Sequence, residues 1–218
     1  SGIVFVSNVV QKHIEYAVSQ KIPCVLVNSY SDKLPSVLSD NRKGAYLAGR
    51  YLIEHGHKTV ALLAGVRSYL SNQERTAGFL QAFQEEGLSI PPELILETGS
   101  WLYDAAEKVC LNFFNTYTGE MPTALFAFND RLATGAINAI CKTGRTVPDD
   151  VSVIGYDNLG YYNIISPRIT TVETHIEAIS ESTVMHMIWQ LNNGSCLPVK
   201  VLTPVEVISG ETVRSLLC

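Results

Sequence analysis

The chain has 218 residues, 46% hydrophobic and 17% charged, with 16 Lys and Arg against 21 Asp and Glu for a net charge of −5. That balance excludes a disordered chain, which would hold far less Leu, Ile, Val and Phe. It also excludes a surface that grips nucleic acid unaided, since neutralising phosphates takes a basic patch.

A chain of this length forms one large domain or two lobes of about 100 residues each. No run of about 18 apolar residues occurs, so no transmembrane helix is expected. The N-terminal Ser1-Gly2-Ile3 lacks the basic stretch and cleavage pattern of a secretory leader. Cys24, Cys110, Cys141, Cys196 and Cys218 are odd in number, scattered and without a C-x-x-C pair. They read as reduced thiols of a cytoplasmic protein rather than as a zinc or disulfide frame. Asn193-Gly194-Ser195 matches a glycosylation sequon and reads as a turn.

In chain order, the first strand candidates are Ile3–Ser7 and Cys24–Asn28. Asp40 then suits the N-cap of a helix reaching about His55, with Gly56 as its C′ stop. A strand over Thr59–Ala64 follows. Ala106, Val109, Cys110, Phe113 and Phe114 recur at three- and four-residue spacing and draw the apolar stripe of a helix. Thr123–Phe128 is the next strand, and Ala133, Ile137 and Ile140 mark the helix after it. Val151–Tyr156 is another strand; Val184, Ile188 and Leu191 draw a last helical stripe, and Val205–Ile208 a last strand. These strand runs are nearly continuously apolar, as expected of parallel strands covered by helices on both faces. Alternation of this kind predicts an α/β fold with right-handed crossovers. Gly65, Pro167 and Pro204 flank strand runs and are candidate places for the chain to change lobe.

Enzyme motifs are missing: the sequence has no P-loop, no G-x-G-x-x-G, no G-x-S-x-G and no H-E-x-x-H. His55-Gly56-His57 reads as a turn rather than a metal pair, because no carboxylate or third ligand is near in sequence. Glu85-Glu86 and Asp149-Asp150 are adjacent pairs, read as a solvated helix end and a turn. No catalytic residue, metal site or cofactor is expected.

The ends of the predicted strands are more telling, because open α/β sheets bind ligands in the crevice at the strands' C-terminal ends. Asn129 and Asp130 follow one strand run, and Asp157 and Asn158 another. Arg75 opens a helix after the loop leaving Ala64-Gly65, and Trp101 follows Thr98-Gly99-Ser100. An amide, a carboxylate, a guanidinium and an indole on one crevice would suit a polyhydroxylated ligand. From spacing alone the other reading stays open: Asn129 and Asp130 as caps, Asp157 in a turn, Trp101 in the core.

Five stretches carry a resemblance. Leu47–Lys58 (LAGRYLIEHGHK) leading into Thr59–Gly65, Glu74–Phe79 (ERTAGF), Asn129–Ala136 (NDRLATGA), Val147–Asn158 (VPDDVSVIGYDN) and Ser166–Val172 (SPRITTV) occur in the order found in the LacI/GalR family of transcription regulators. The resemblance implies a two-lobed, periplasmic-binding-protein-like α/β fold, with parallel sheets flanked by helices and three inter-lobe crossovers. It implies lobes of residues 1–64 with 170–203 and of 65–169 with 204–218. Arg75, Trp101, Asn129 and Asp157 match the family's effector-contacting positions, with Trp101 as the aromatic platform. Asp40 falls near the opposite lip, and Arg131 where some members place a further polar contact.

The family likeness also implies a small-molecule effector, a sugar or nucleoside-like compound, and a homodimer paired through the helix after Asn129 and the segment Leu159–Ile165. Tyr161, Tyr162, Ile164 and Ile165 make that segment unusually apolar for a loop. Family members reach operator DNA through a helix-turn-helix domain. Nothing here resembles that domain, and two strand–helix units that usually precede the stretch matching Ser1–Ser7 are missing. No membrane partner is expected. The alternative reading is a periplasmic sugar-binding protein that serves a transporter.

Overall fold

The computed structural model describes residues 1–7, 9–160, 166–194 and 196–217. In chain order the elements are β1 (Ile3–Val6), α1 (Gln11–Ser19), β2 (Cys24–Val27), β3 (Ser36–Ser39), α2 (Asn41–Glu54), β4 (Val60–Ala64) and α3 (Leu70–Glu85). A single 3-10 turn (Pro92–Leu94) then leads to β5 (Ile95–Glu97), α4 (Tyr103–Thr116), β6 (Ala124–Ala127), α5 (Asp130–Lys142) and β7 (Ser152–Asp157). Last come β8 (Thr170–Glu173), α6 (Ile176–Asn193), β9 (Lys200–Thr203) and β10 (Glu206–Ile208). The α/β class is as the alternation predicted.

The chain divides into two units, residues 1–40 with 174–205 and residues 41–173 with 206–218. The first holds a four-stranded parallel sheet in the order β1-β2-β3-β9. Side chains alternate across it, as a pleated strand requires. Cys24 and Leu26 pack with Ile14 and Ala17 of α1, while Val25 and Val27 pack with Val37 and Ile179 of α6. Gln190 of α6, 2% exposed, ties itself to β2: its Nε2 donates to the Cys24 carbonyl at 2.8 Å, and its Oε1 accepts the Cys24 N–H at 3.2 Å.

The second unit holds a six-stranded sheet in the order β10-β8-β7-β6-β4-β5. Its strands are parallel except β10, which runs antiparallel to β8 and so departs from the all-parallel expectation. α2 and α3 cover one face. There Phe79 is fully buried, with its ring 4.8 Å from Phe126 and 4.9 Å from Phe83. α5 covers the other face, with α4 packed beside it. Gly78 lets α3 approach α2 closely, since a Cβ there would overlap the Arg42 carbonyl.

Two expectations need correction. The boundaries fall after Asp40, Glu173 and Val205, not after residues 64, 169 and 203. The reason is pairing: β4 bonds to β5 and β6, and β8 to β7 and β10, so both strands belong to the second unit's sheet. α2 packs against α3 and goes with them. The second correction concerns α6. Val184, Ile188 and Leu191, whose spacing draws an apolar stripe of the kind that ordinarily faces a core, are 56%, 51% and 46% exposed, and the helix buries Ile179, Thr183 and Gln190 instead.

The helix stop at Gly56 holds. Gly56 takes φ +87° just after α2 and donates to the Ile53 carbonyl. His57 is fully buried between Thr123 Oγ1 and the Arg214 carbonyl, 3.0 Å from each, and burial pushes its pKa down. That is a structural histidine. Among the described residues, no group of His, Cys, Asp or Glu is placed to hold a metal ion, and no helix is long and apolar enough to cross a membrane.

Candidate functional site

Parallel strands point their C-terminal ends the same way, so the segments leaving β4, β5, β6 and β7 gather at one edge of the second sheet. Gly65, Trp101, Asn129 and Asp157 all lie on those segments. Arg75, on the second turn of α3, reaches the same edge and holds it together.

Arg75 is 7% exposed. Its Nε donates to Asn41 Oδ1 at 2.8 Å, one terminal nitrogen donates to the Phe128 carbonyl, and the other lies 3.2 Å from Asp157 Oδ1. The guanidinium carbon stands 3.6 Å from the Tyr156 ring centroid, a cation–π contact. A planar fork with five donors suits such a junction in a way a lysine ammonium does not. Burial pushes the Asp157 carboxyl up, and the Arg75 charge and hydrogen bond pull it back. Asp157 takes φ +101° and Asn158 φ +51°, two successive backbone conformations that non-glycine residues seldom adopt. They sit where β7 ends, beside the guanidinium, as strained residues often do at binding edges.

Asn129 is the N-cap of α5: its Oδ1 accepts the Leu132 N–H at 2.7 Å, while Nδ2 donates to the Trp101 carbonyl at 3.4 Å. The capping reading that the sequence left open is thus present in the geometry, and the same amide ties Trp101 to β6. The Trp101 indole lies over Gly65, where a Cβ would come within 2.6 Å of the ring, and Tyr69 packs at 5.9 Å between centroids. Its Nε1 is buried and has no hydrogen-bond partner.

Asp130 is 1% exposed and accepts three donors: Thr171 Oγ1, the Leu159 N–H and the Tyr156 N–H. Desolvation still outweighs them, and its pKa is pushed up to about 7.

Arg75, Trp101, Asn129 and Asp157 therefore share one sheet edge within the second unit. Asp40 lies in the first unit, just past β3, with its N–H donating to the Thr203 carbonyl. The sequence reading missed Asn41, Tyr156 and Asn72. Asn72 had a signal, since it sits three residues before Arg75 and three-residue spacing shares a helix face. Asn41 and Tyr156 act through long-range contacts with no local signature. Tyr161, Tyr162, Ile164 and Ile165, expected in a pairing surface, lie outside the described residues. A hollow of about 400 Å³ elsewhere, in the first unit, is lined by Pro35, Met185, Trp189, Leu197 and Val199. Its two polar lining side chains, His186 and Gln190, already bond to the Ser182 and Cys24 backbone, which leaves a mainly apolar hollow without the converging polar groups of a specific ligand site.

Residues 50–213 match the model of the periplasmic binding protein-like domain family. Among curated proteins, the chain is 30% identical to ExuR, named as an HTH-type transcriptional repressor, of Bacillus subtilis (strain 168), over 99% of this chain and 65% of that protein. It is 41% identical to the HTH-type transcriptional repressor PurR of Vibrio parahaemolyticus serotype O3:K6, over 65% of this chain and 42% of that one. The chain thus spans about two thirds or less of the length of these relatives. A LacI transcriptional regulator of Bacillus cereus subsp. cytotoxis superposes with a TM-score of 0.89 at 25% identity, covering 98% of this chain and 76% of that one. The family match over most of the chain, the repressor relatives and the shared fold agree: the chain belongs to the periplasmic binding protein-like domain family, in the form carried by LacI-type transcription regulators.

Proposed function

We propose that this chain is the effector-sensing part of a transcription regulator, binding a small polar ligand at the sheet edge built around Arg75. The observation that carries the reading is the pre-oriented guanidinium. Arg75 is held by Asn41, the Phe128 carbonyl, Asp157 and the Tyr156 ring, with Asn129 and Trp101 on neighbouring segments of the same edge. Groups fixed before the ligand arrives lose little entropy when it binds. Asp157 beside the arginine disfavours a heavily phosphorylated ligand and favours a sugar or nucleoside-like molecule.

Such a ligand acts by its preference for one of two conformations of the chain, and by no more than that preference. Moving most molecules from one state to the other takes roughly 10⁴-fold preference, about 5.5 kcal/mol. In the complete protein the shift would alter how a homodimer presents its DNA-binding heads to an operator. The relatives' names as repressors support this reading over a sugar-binding protein that serves a transporter, and over any enzyme.

A thermal-shift screen of sugars and nucleosides, run on the protein as its gene encodes it, tests the proposal. Ligand at 100 times its Kd adds about 2.7 kcal/mol of stability, which for a chain of this size raises the melting midpoint by about 5–10 °C. Arg75→Lys keeps the charge, loses the fork and should abolish the shift. An undiminished shift in that variant removes Arg75 from the site.

A further inference from the structure

We infer that Asn72 contacts the ligand and that, with the Trp101 indole N–H, it selects a hydroxyl group. The inference rests on the site proposed above and names the chemistry of one corner of it.

Asn72 lies on the first turn of α3, one turn before Arg75 on the same helical face. It is 4% exposed, yet its Oδ1 has no hydrogen-bond partner. Trp101 Nε1 is likewise buried and unpartnered. Both residues border the loop Gly65–Tyr69: the Trp101 ring lies over Gly65 and packs on Tyr69, and Asn72 follows three residues later. Buried polar groups are paired in the great majority of cases, so two orphans beside one loop, next to a pre-oriented arginine, call for a shared partner.

The orphans differ in kind. The indole N–H can only donate, and the amide oxygen can only accept. A hydroxyl answers both, accepting from Trp101 and donating to Asn72, and two neighbouring hydroxyls of a sugar ring do so equally well. A carboxylate or a fully ionised phosphate ester offers acceptors alone and would leave Asn72 Oδ1 unanswered. This corner therefore takes a neutral, hydroxyl-bearing part of the ligand, and the Trp101 edge matters as well as its face.

The test is calorimetric titration of the protein as encoded with D-ribose, D-glucose, D-galactose and inorganic phosphate. We expect a neutral sugar to bind and phosphate not to. Asn72→Ala and Trp101→Phe, the second keeping an aromatic face but losing the N–H, should each weaken that sugar about tenfold or more, as one buried hydrogen bond left unmade implies. The indole N–H proton resonance should shift when the sugar is added, a response that a purely structural Asn72–Trp101 corner would not give. If Asn72→Ala binds the sugar within twofold of wild type while Arg75→Lys has lost it, the inference is overturned and the site stands. If phosphate binds and no sugar does, hydroxyl selection is overturned. If neither Arg75→Lys nor Asn72→Ala affects sugar binding, the site and the inference fail together.

Discussion

Asp130 should make the stability of this chain fall as pH rises through neutrality. Its carboxyl is 1% exposed, and desolvation raises its pKa to about 7 from an ordinary 3.8. Between those values the native chain holds a proton that the unfolded chain has released. Stability then declines with rising pH at up to about 1.4 kcal/mol per pH unit, because the unfolded state binds fewer protons. From pH 5 to pH 8 the loss attributable to this one group comes to about 2.5 kcal/mol, an upper-end figure for a buried carboxyl. Burial of His57 lowers its pKa, so that residue's contribution is complete above about 6.5 and is lost as pH falls. The two slopes oppose each other in the wild type, and a variant is needed to separate them. Asp130→Asn removes one titration and leaves the other. It also turns an amide N–H toward the donors that Asp130 now accepts, at a cost of about 1–3 kcal/mol that does not vary with pH. Urea unfolding of both proteins at pH 5, 6, 7 and 8 is the assay. The stability advantage of wild type over Asp130→Asn should shrink mostly between pH 5 and 7 and level off toward pH 8. An advantage that stays constant, or grows with pH, would refute the reasoning and show that the three donors keep Asp130 ionised throughout.

Two further predictions concern packing and capping. Phe79→Ala removes a fully buried ring stacked on Phe83 and Phe126. It should cost about 3–5 kcal/mol, read as a lower urea midpoint at unchanged m-value. Asn129→Ala deletes the cap on Leu132 N–H and the tie to the Trp101 carbonyl. Its cap loss should cost about 1 kcal/mol, or about 2–4 °C in melting midpoint. A loss of thermal stability without any loss of sugar affinity would make Asn129 purely structural.

The sequence by itself determined the α/β class and six of the ten strands among the described residues. Parallel strands covered on both faces need unbroken apolar runs, and those runs are local and visible. The candidate ligand residues at the strands' C-terminal ends were visible for a related reason: a polar residue straight after such a run has few other places to point. The strands it passed over, β3, β5, β8 and β9, are three or four residues long, and Ser36, Ser39, Thr170 and Thr171 interrupt their apolar pattern. What makes them strands is pairing with neighbours distant in sequence.

Tertiary structure alone decided the rest. β4 and β8 belong to the second sheet because their hydrogen-bond partners do, which moved the unit boundaries to Asp40 and Glu173. Val184, Ile188 and Leu191 make a convincing stripe on paper, but periodicity shows that a helix has an apolar face and not what that face meets. Asn41 and Tyr156 meet Arg75 across 34 and 81 residues of chain. That Asn72 Oδ1 and Trp101 Nε1 lack partners carries no sequence signature. An orphaned donor or acceptor is a property of its surroundings, and only the folded chain supplies those.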